Sequence, residues 1–174
     1  MVENKKGFTL VELLAVIAIL AILVIIALPN VMGMFNSATK STFVTEAEKI
    51  YQQVTTDFVS DNLKKSGERT YCQIDGTANV EKATTTGVTC DEASNTDSTK
   101  KKLNLNTTKN YYIEVASDGT VGKFIVYDNS FVVAYPTGVT KVTDIKETAV
   151  KDISKVDNFT VTNATVAETS TNQG

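Results

Sequence analysis

Gly7-Phe8-Thr9-Leu10-Val11-Glu12 opens an apolar run that continues to Leu28. Between Phe8 and Leu28 only Thr9 and Glu12 are polar. A helix over this span is about 31 Å long at 1.5 Å per residue, which matches the hydrocarbon core of a bilayer. One carboxylate, Glu12, lies inside the run near its start. A charge at the bilayer centre costs on the order of 3 kcal/mol on insertion scales, so an intramembrane Glu marks function by default.

Outward from this stretch, Lys5 and Lys6 precede the run and the next basic residue is Lys40. The positive-inside rule then keeps the N-terminus cytoplasmic and sends the remainder across. A secretory signal has a shorter apolar centre and a small-residue cleavage site. Here the run is longer, carries Glu12, and is followed by Leu28-Pro29-Asn30-Val31-Met32. An ordinary signal anchor accounts for the length. Neither reading explains Gly7 and Glu12 at this spacing.

A short basic leader ending in Gly, then Phe-Thr-Leu-Val-Glu, then an apolar run, resembles the type IV prepilin signature. The match from Gly7 to Glu12 has no departure, Pro29 matches a proline common in that family, and the likeness covers roughly residues 5 to 55. The resemblance implies that a prepilin peptidase cuts between Gly7 and Phe8 and methylates the new Phe8 amine. It implies a filament whose other subunits pack their apolar helices against this one, with Glu12 and Pro29 acting in assembly. It also implies a single-pass membrane state before assembly and an extracellular filament after it. Two other functions fit: a pseudopilin of a type II secretion or DNA-uptake machine, which shares the signature, and a membrane-anchored surface protein that binds without assembling.

The 174 residues suffice for one domain plus an anchor. Net charge is −3, and loss of a leader holding Lys5, Lys6 and Glu3 leaves the mature chain one unit more negative. A weakly acidic chain is a poor prior for nucleic-acid binding. There is no His, which removes the commonest general base and metal ligand. No nucleophile–base pair stands out, so the chain reads as a non-enzyme with no cofactor and no metal. Cys72 and Cys90 suit one disulfide in an oxidising compartment. With no His and no C-x-x-C they do not make a usual zinc site.

The expected organisation is a leader (1–7), a membrane and assembly helix (8–30), an amphipathic helix (31–66) and a β-rich head (67–174) with a disordered tail. Pro29 clashes with the carbonyl of Ile25 in a continuous helix, so a kink or local loss of helix is expected there, softened further by Gly33. Phe43, Ala47, Ile50, Val54 and Phe58 step by four, three, four and four, which places them on one face with Tyr51 extending it. Ser66-Gly67 is the stop, with Lys64 and Lys65 suiting the last turn. Residues 67–110 are polar with little apolar period, and Lys100-Lys101-Lys102 reads as a solvated loop. Tyr111–Ala116, Val121–Tyr127 and Phe131–Tyr135 read as three strands, with Asp118-Gly119 as a hairpin turn. Short turns make this an antiparallel meander, whose single buried face the helix stripe covers. Val139–Ile145 and Phe159–Val166 alternate well enough to be strands, and Ala167–Gly174 reads as loose. Asn106, Asn158 and Asn163 sit in N-x-T sequons. The fold class is therefore α+β, a long two-part helix packed on an antiparallel sheet.

Overall fold

The computed structural model describes residues 8–74, 82–85, 88, 90 and 100–168. The chain divides into two units, Met1–Thr39 and Lys40–Gly174. Helix α1 (Leu10–Lys64) begins in the first and ends in the second.

In the first unit every large apolar side chain of α1 from Leu10 to Phe35 is exposed. The helix continues through Pro29, so of the expected kink or local loss of helix the loss does not occur. Proline removes one donor, the one that would meet the carbonyl of Ile25. The apolar turns on both sides retain theirs.

The second unit takes shape from the other part of α1. Phe43, Ala47, Ile50, Val54 and Phe58 are all buried, with Tyr51 beside them. Burying a Val, Ile or Phe side chain contributes about 1.5–3 kcal/mol, more than a typical surface ion pair. The stripe therefore decides which face of α1 turns inward. Tyr51 adds direction by donating its hydroxyl to the carbonyl of Thr140 at 3.0 Å. The helix ends at Lys64, and Gly67 follows with φ +146.

The strands are β1 (Arg69–Gln73), β2 (Ala83–Thr84), β3 (Lys100–Lys101), β4 (Asn110–Val115), β5 (Val121–Tyr127), β6 (Phe131–Tyr135), β7 (Lys151–Asp152), β8 (Val156–Thr160) and β9 (Thr165–Glu168). Among the described residues they form two sheets, ordered β3-β1-β4-β5-β6-β7 and β2-β8-β9. Pairing is antiparallel except for β1 with β3 and β2 with β8. The expected meander is β4-β5-β6, and the fold is α+β with a pilin-like arrangement. Gly119, at φ +88, turns β4 into β5, closed by the Ala116 N–H on Thr120 O at 2.9 Å. Gly138, at φ +85, turns the chain out of β6. A side chain there would start 1.8 Å from the carbonyl oxygen of Val121.

Three expectations are corrected. The large sheet is buried on both faces rather than one. Tyr71, Tyr111, Ile113, Phe124, Val126 and Val133 pack with the α1 stripe. Their neighbours Cys72, Tyr112, Ile125, Tyr127 and Val132 pack with Val156, Phe159 and Val161 from the segment that carries the small sheet. Helix, large sheet and small sheet thus make three layers. The unbroken apolar runs Phe124-Ile125-Val126-Tyr127 and Phe131-Val132-Val133 are what strands covered on both sides require.

Secondly, the polar stretch after residue 67 contains β1, whose Tyr71 is fully buried. Lys100 and Lys101 form β3 rather than a solvated loop, and Lys101 donates to buried Asp61 at 2.7 Å. Thirdly, Val139–Ile145 is not a strand. It makes one bridge, Val139 to Val121, and then a 3-10 turn over Val142–Asp144. The Asp144 carboxylate accepts from Lys141 N–H at 2.9 Å and Thr140 Oγ1 at 2.7 Å. Such local bonds compete with a strand ladder. Phe159–Val166 is likewise two strands, β8 and β9, around a turn in which Ala164 N–H meets Val161 O. Strand β9 reaches Glu168, so the end of the chain is ordered further than expected, and residues 169–174 lie outside the described residues.

Candidate processing and assembly site

The first helical residue is Leu10, and Phe8 and Thr9 precede it in non-helical backbone. A helix start leaves its first N–H groups without partners. Here Thr9 and Glu12 satisfy them reciprocally. Glu12 Oε2 accepts from the Thr9 N–H at 2.8 Å and from the Thr9 hydroxyl at 2.9 Å. The Glu12 N–H donates back to Thr9 Oγ1 at 3.3 Å. This is a capping box, Thr-x-x-Glu, with Thr9 as the cap and Glu12 three residues on. The sequence reading passed over Thr9 as a helix cap. The signal that finds it is the same four residues, Thr9-Leu10-Val11-Glu12, read as a helix start rather than as letters of a processing motif.

Gly7 lies outside the described residues. Phe8 is exposed, and so is Glu12. Leu10–Pro29 is long and apolar enough to cross a membrane, and none of it is buried by the rest of the chain. Pro29 sits inside the helix, far from Glu12 in sequence and with no polar contact described. Apolar surface of this extent on one element needs cover from lipid or from other chains.

In the second unit Cys72 and Cys90 are joined, with Cα atoms 5.7 Å apart. Cys72 belongs to β1 and is buried against the second core, and Cys90 packs on the same cluster. The bridge therefore ties Cys90 to the large sheet. Among the described residues no group of three or more His, Cys, Asp or Glu could hold a metal ion. Asn106, Asn158 and Asn163 are exposed, on a loop, on β8 and in the β8–β9 turn respectively.

Two charge clusters hold the head to its helix. Lys109 Nζ lies 2.5 Å from Asp128 Oδ2, 3.0 Å from Glu46 Oε2 and 5.3 Å from the centre of the Phe43 ring. Burial alone would lower the Lys109 ammonium. The hydrogen bonds and charges of Asp128 and Glu46 outweigh it, and the pKa is raised. At the other end Asp61 accepts from Tyr71 Oη at 3.1 Å and from Lys101 Nζ at 2.7 Å. Burial pushes the Asp61 carboxyl up, but Lys101 and Tyr71 together bring it below its ordinary value. Burial and Asp61 push the Tyr71 phenol well above the usual range. These pairs tie α1 to β1 and β3 and to the residues that flank β4 and β5. They are structural, because each charge is satisfied within the head.

Residues 3–28 match the family described as the prokaryotic N-terminal methylation motif, which is the type IV pilin and pseudopilin signature. No curated protein and no solved structure matches the chain. The motif supports a pilin-like or pseudopilin protein and implies processing by a prepilin peptidase and assembly with other pilins. With the apolar helix it suggests membrane anchoring before assembly.

Proposed function

We propose that this chain is a structural subunit of a type IV pilus filament. It is inserted with its N-terminus in the cytoplasm, cut between Gly7 and Phe8, methylated on the Phe8 amine, and polymerised through the first part of α1 outside the cell. The observation that carries this reading is the uncovered apolar surface from Leu10 to Phe35, continuous in sequence with a head whose own core is closed. Lipid covers that surface in the anchored state and neighbouring helices cover it in the filament. A helix apolar all round suits both.

Glu12 is the exception in that surface. After cleavage Phe8 carries a free amine, positive near neutral pH. A carboxylate buried without a partner among packed helices is strongly disfavoured. Pairing Glu12 with the Phe8 amine of a neighbour neutralises both and sets the register of each incoming subunit. The mechanism needs no active site in this chain, which is the substrate of the peptidase. The Cys72–Cys90 bridge forms on the outer side, after export.

A pseudopilin would share the methylation motif, and filament length separates the two. Intact mass of the mature chain and electron microscopy of sheared surface material, immunolabelled for this chain, test the proposal. The expected result is a chain beginning at methylated Phe8 and labelled along long filaments. A mature chain beginning beyond Leu28 overturns it, and Glu12→Ala as the sole subunit should be cut and inserted but form few filaments.

A further inference from the structure

We propose that Lys109 and Asp128 condense to a side-chain amide with loss of water, and that Glu46 carries the proton this requires. The head then holds a second covalent tie beside its disulfide. The bond belongs to the head alone and stands apart from the filament reading.

What amide formation needs is assembled around Lys109. Asn110 pairs with Tyr127 across β4 and β5, so Lys109 and Asp128 are the next positions outward on the two neighbouring chains. Their Nζ and Oδ2 lie 2.5 Å apart. The other carboxyl oxygen, Asp128 Oδ1, accepts the N–H of Ser130 and the N–H of Phe131, each at 2.7 Å. Two backbone donors aimed at one oxygen stabilise negative charge that develops there. Glu46 reaches in from α1, and its Oε2, shielded from solvent, lies 3.0 Å from Nζ. Little water enters. The Lys109 and Asp128 side chains are only 16% and 20% exposed. The Phe43 ring lies over the ammonium at 5.3 Å and packs on Phe131 at 5.7 Å. Burial pulls the Lys109 ammonium down, but Asp128 and Glu46 outweigh it and raise the pKa. The neutral pair is therefore the minor form, and condensation is slow beside folding.

The ammonium first passes one proton to Oδ2. The Nζ lone pair then attacks Cγ, and the carbonyl electrons move onto Oδ1 between its two N–H donors. Glu46 takes a second proton from Nζ and hands it to the Oδ2 hydroxyl. The Cγ–Oδ2 bond breaks, water leaves, the Oδ1 carbonyl re-forms, and Glu46 is a carboxylate again. Nothing is oxidised or reduced: one cation and one anion become one neutral amide. Such proton transfer contributes about 10²–10⁴-fold to a rate. Fixed placement of the partners supplies effective concentrations of about 10⁵–10⁸ M at best, which offsets the unfavourable loss of water. The bond closes the β4–β5 pair at the end away from its turn, across a sequence separation of 19.

The mature full-length chain, purified in detergent, reduced and denatured, is weighed intact and then digested with trypsin. The wild-type chain should be lighter by one water than its reduced sequence requires. Lys109 should resist cleavage, and a branched product should join Leu103–Lys123 to Phe124–Lys141. Lys109→Arg keeps the charge but cannot form this amide, and should have its full mass. Glu46→Gln keeps the shape and removes the proton carrier. Followed from pulse-labelled synthesis, it should link at least about tenfold more slowly than wild type. A wild-type chain at full mass overturns the proposal and leaves an ion pair only. Loss of water that persists in Lys109→Arg, or that comes without the branched product, overturns it as well, because the water has then left another site. Glu46→Gln linking as fast as wild type overturns the role given to Glu46. The wild-type mass and branched product decide the bond even where a variant fails to fold.

Discussion

At Asp61 a single side chain decides how the end of α1 meets the sheet. It is buried and accepts from Tyr71 and Lys101, residues ten and forty positions away. Its folded pKa lies below the ordinary 3.8, so the charged form is favoured by folding. The stability it contributes is present above the unfolded value and is lost as pH falls through the folded one. Urea unfolding of the wild-type protein should therefore weaken from about pH 4 downward, and Asp61→Asn should flatten that part of the profile. At neutral pH the variant should lose about 1–3 kcal/mol, because Lys101 and Tyr71 are left facing a weaker acceptor. An unchanged acid limb in Asp61→Asn would show that other carboxylates govern it. Glu12 shows the same chemistry in the opposite setting. Among the described residues its partners are the N–H and hydroxyl of Thr9, and it is exposed rather than buried.

On the scale of single elements, α1 carries a buried stripe and an exposed remainder, and substitution separates them. Ile50 is fully buried between the helix and the large sheet, and Leu63 is 85% exposed. Ile50→Ala should destabilise the head by about 2–5 kcal/mol through lost burial and a cavity. Leu63→Ala should stay within about 0.5 kcal/mol of wild type. Equal losses in thermal or urea melts would mean that the stripe is not the seat of packing. Strand β1 supplies a second case, since it brings Cys72 to Cys90 across a sequence separation of 18. Thiol labelling of the denatured, unreduced protein should find no free cysteine. Reduction should lower stability by about 3 kcal/mol in the chain-entropy model. Two labels per chain before reduction would refute the bridge.

For the molecule as a whole, the two units have unlike requirements. Lys40–Gly174 holds its own core in three layers, closed by the Lys109 and Asp61 clusters. Within Met1–Thr39 the described large apolar side chains, from Phe8 to Phe35, are exposed and find no cover within the chain. A chain starting at Lys40 should therefore be soluble and monomeric, and should unfold in one transition whose midpoint does not depend on concentration. Light scattering and melts at two concentrations check this. Aggregation of that fragment would show that the head needs the first unit to fold.

The features that could be read in advance are those whose information is contiguous. The processing signature spans six residues, the α1 stripe repeats at the helical step, and β4, β5 and β6 are apolar runs joined by short turns. Each is written within a few residues of itself. The capping box was equally local, and Thr9 was missed only because one motif was read in place of another. What escaped was non-local. Strand β1 is a polar-looking segment that becomes a strand because Thr70 pairs with Glu114 and Tyr71 with Ile113, more than forty residues on. The second buried face exists because β8 and β9 fold back to cover it, and Lys101, half exposed, reaches Asp61 because β3 lies beside β1. A periodic pattern states which face of an element is apolar. It does not state which distant segment will cover the other face, since that choice is made by packing and by pairing of backbone groups once the layers have come together.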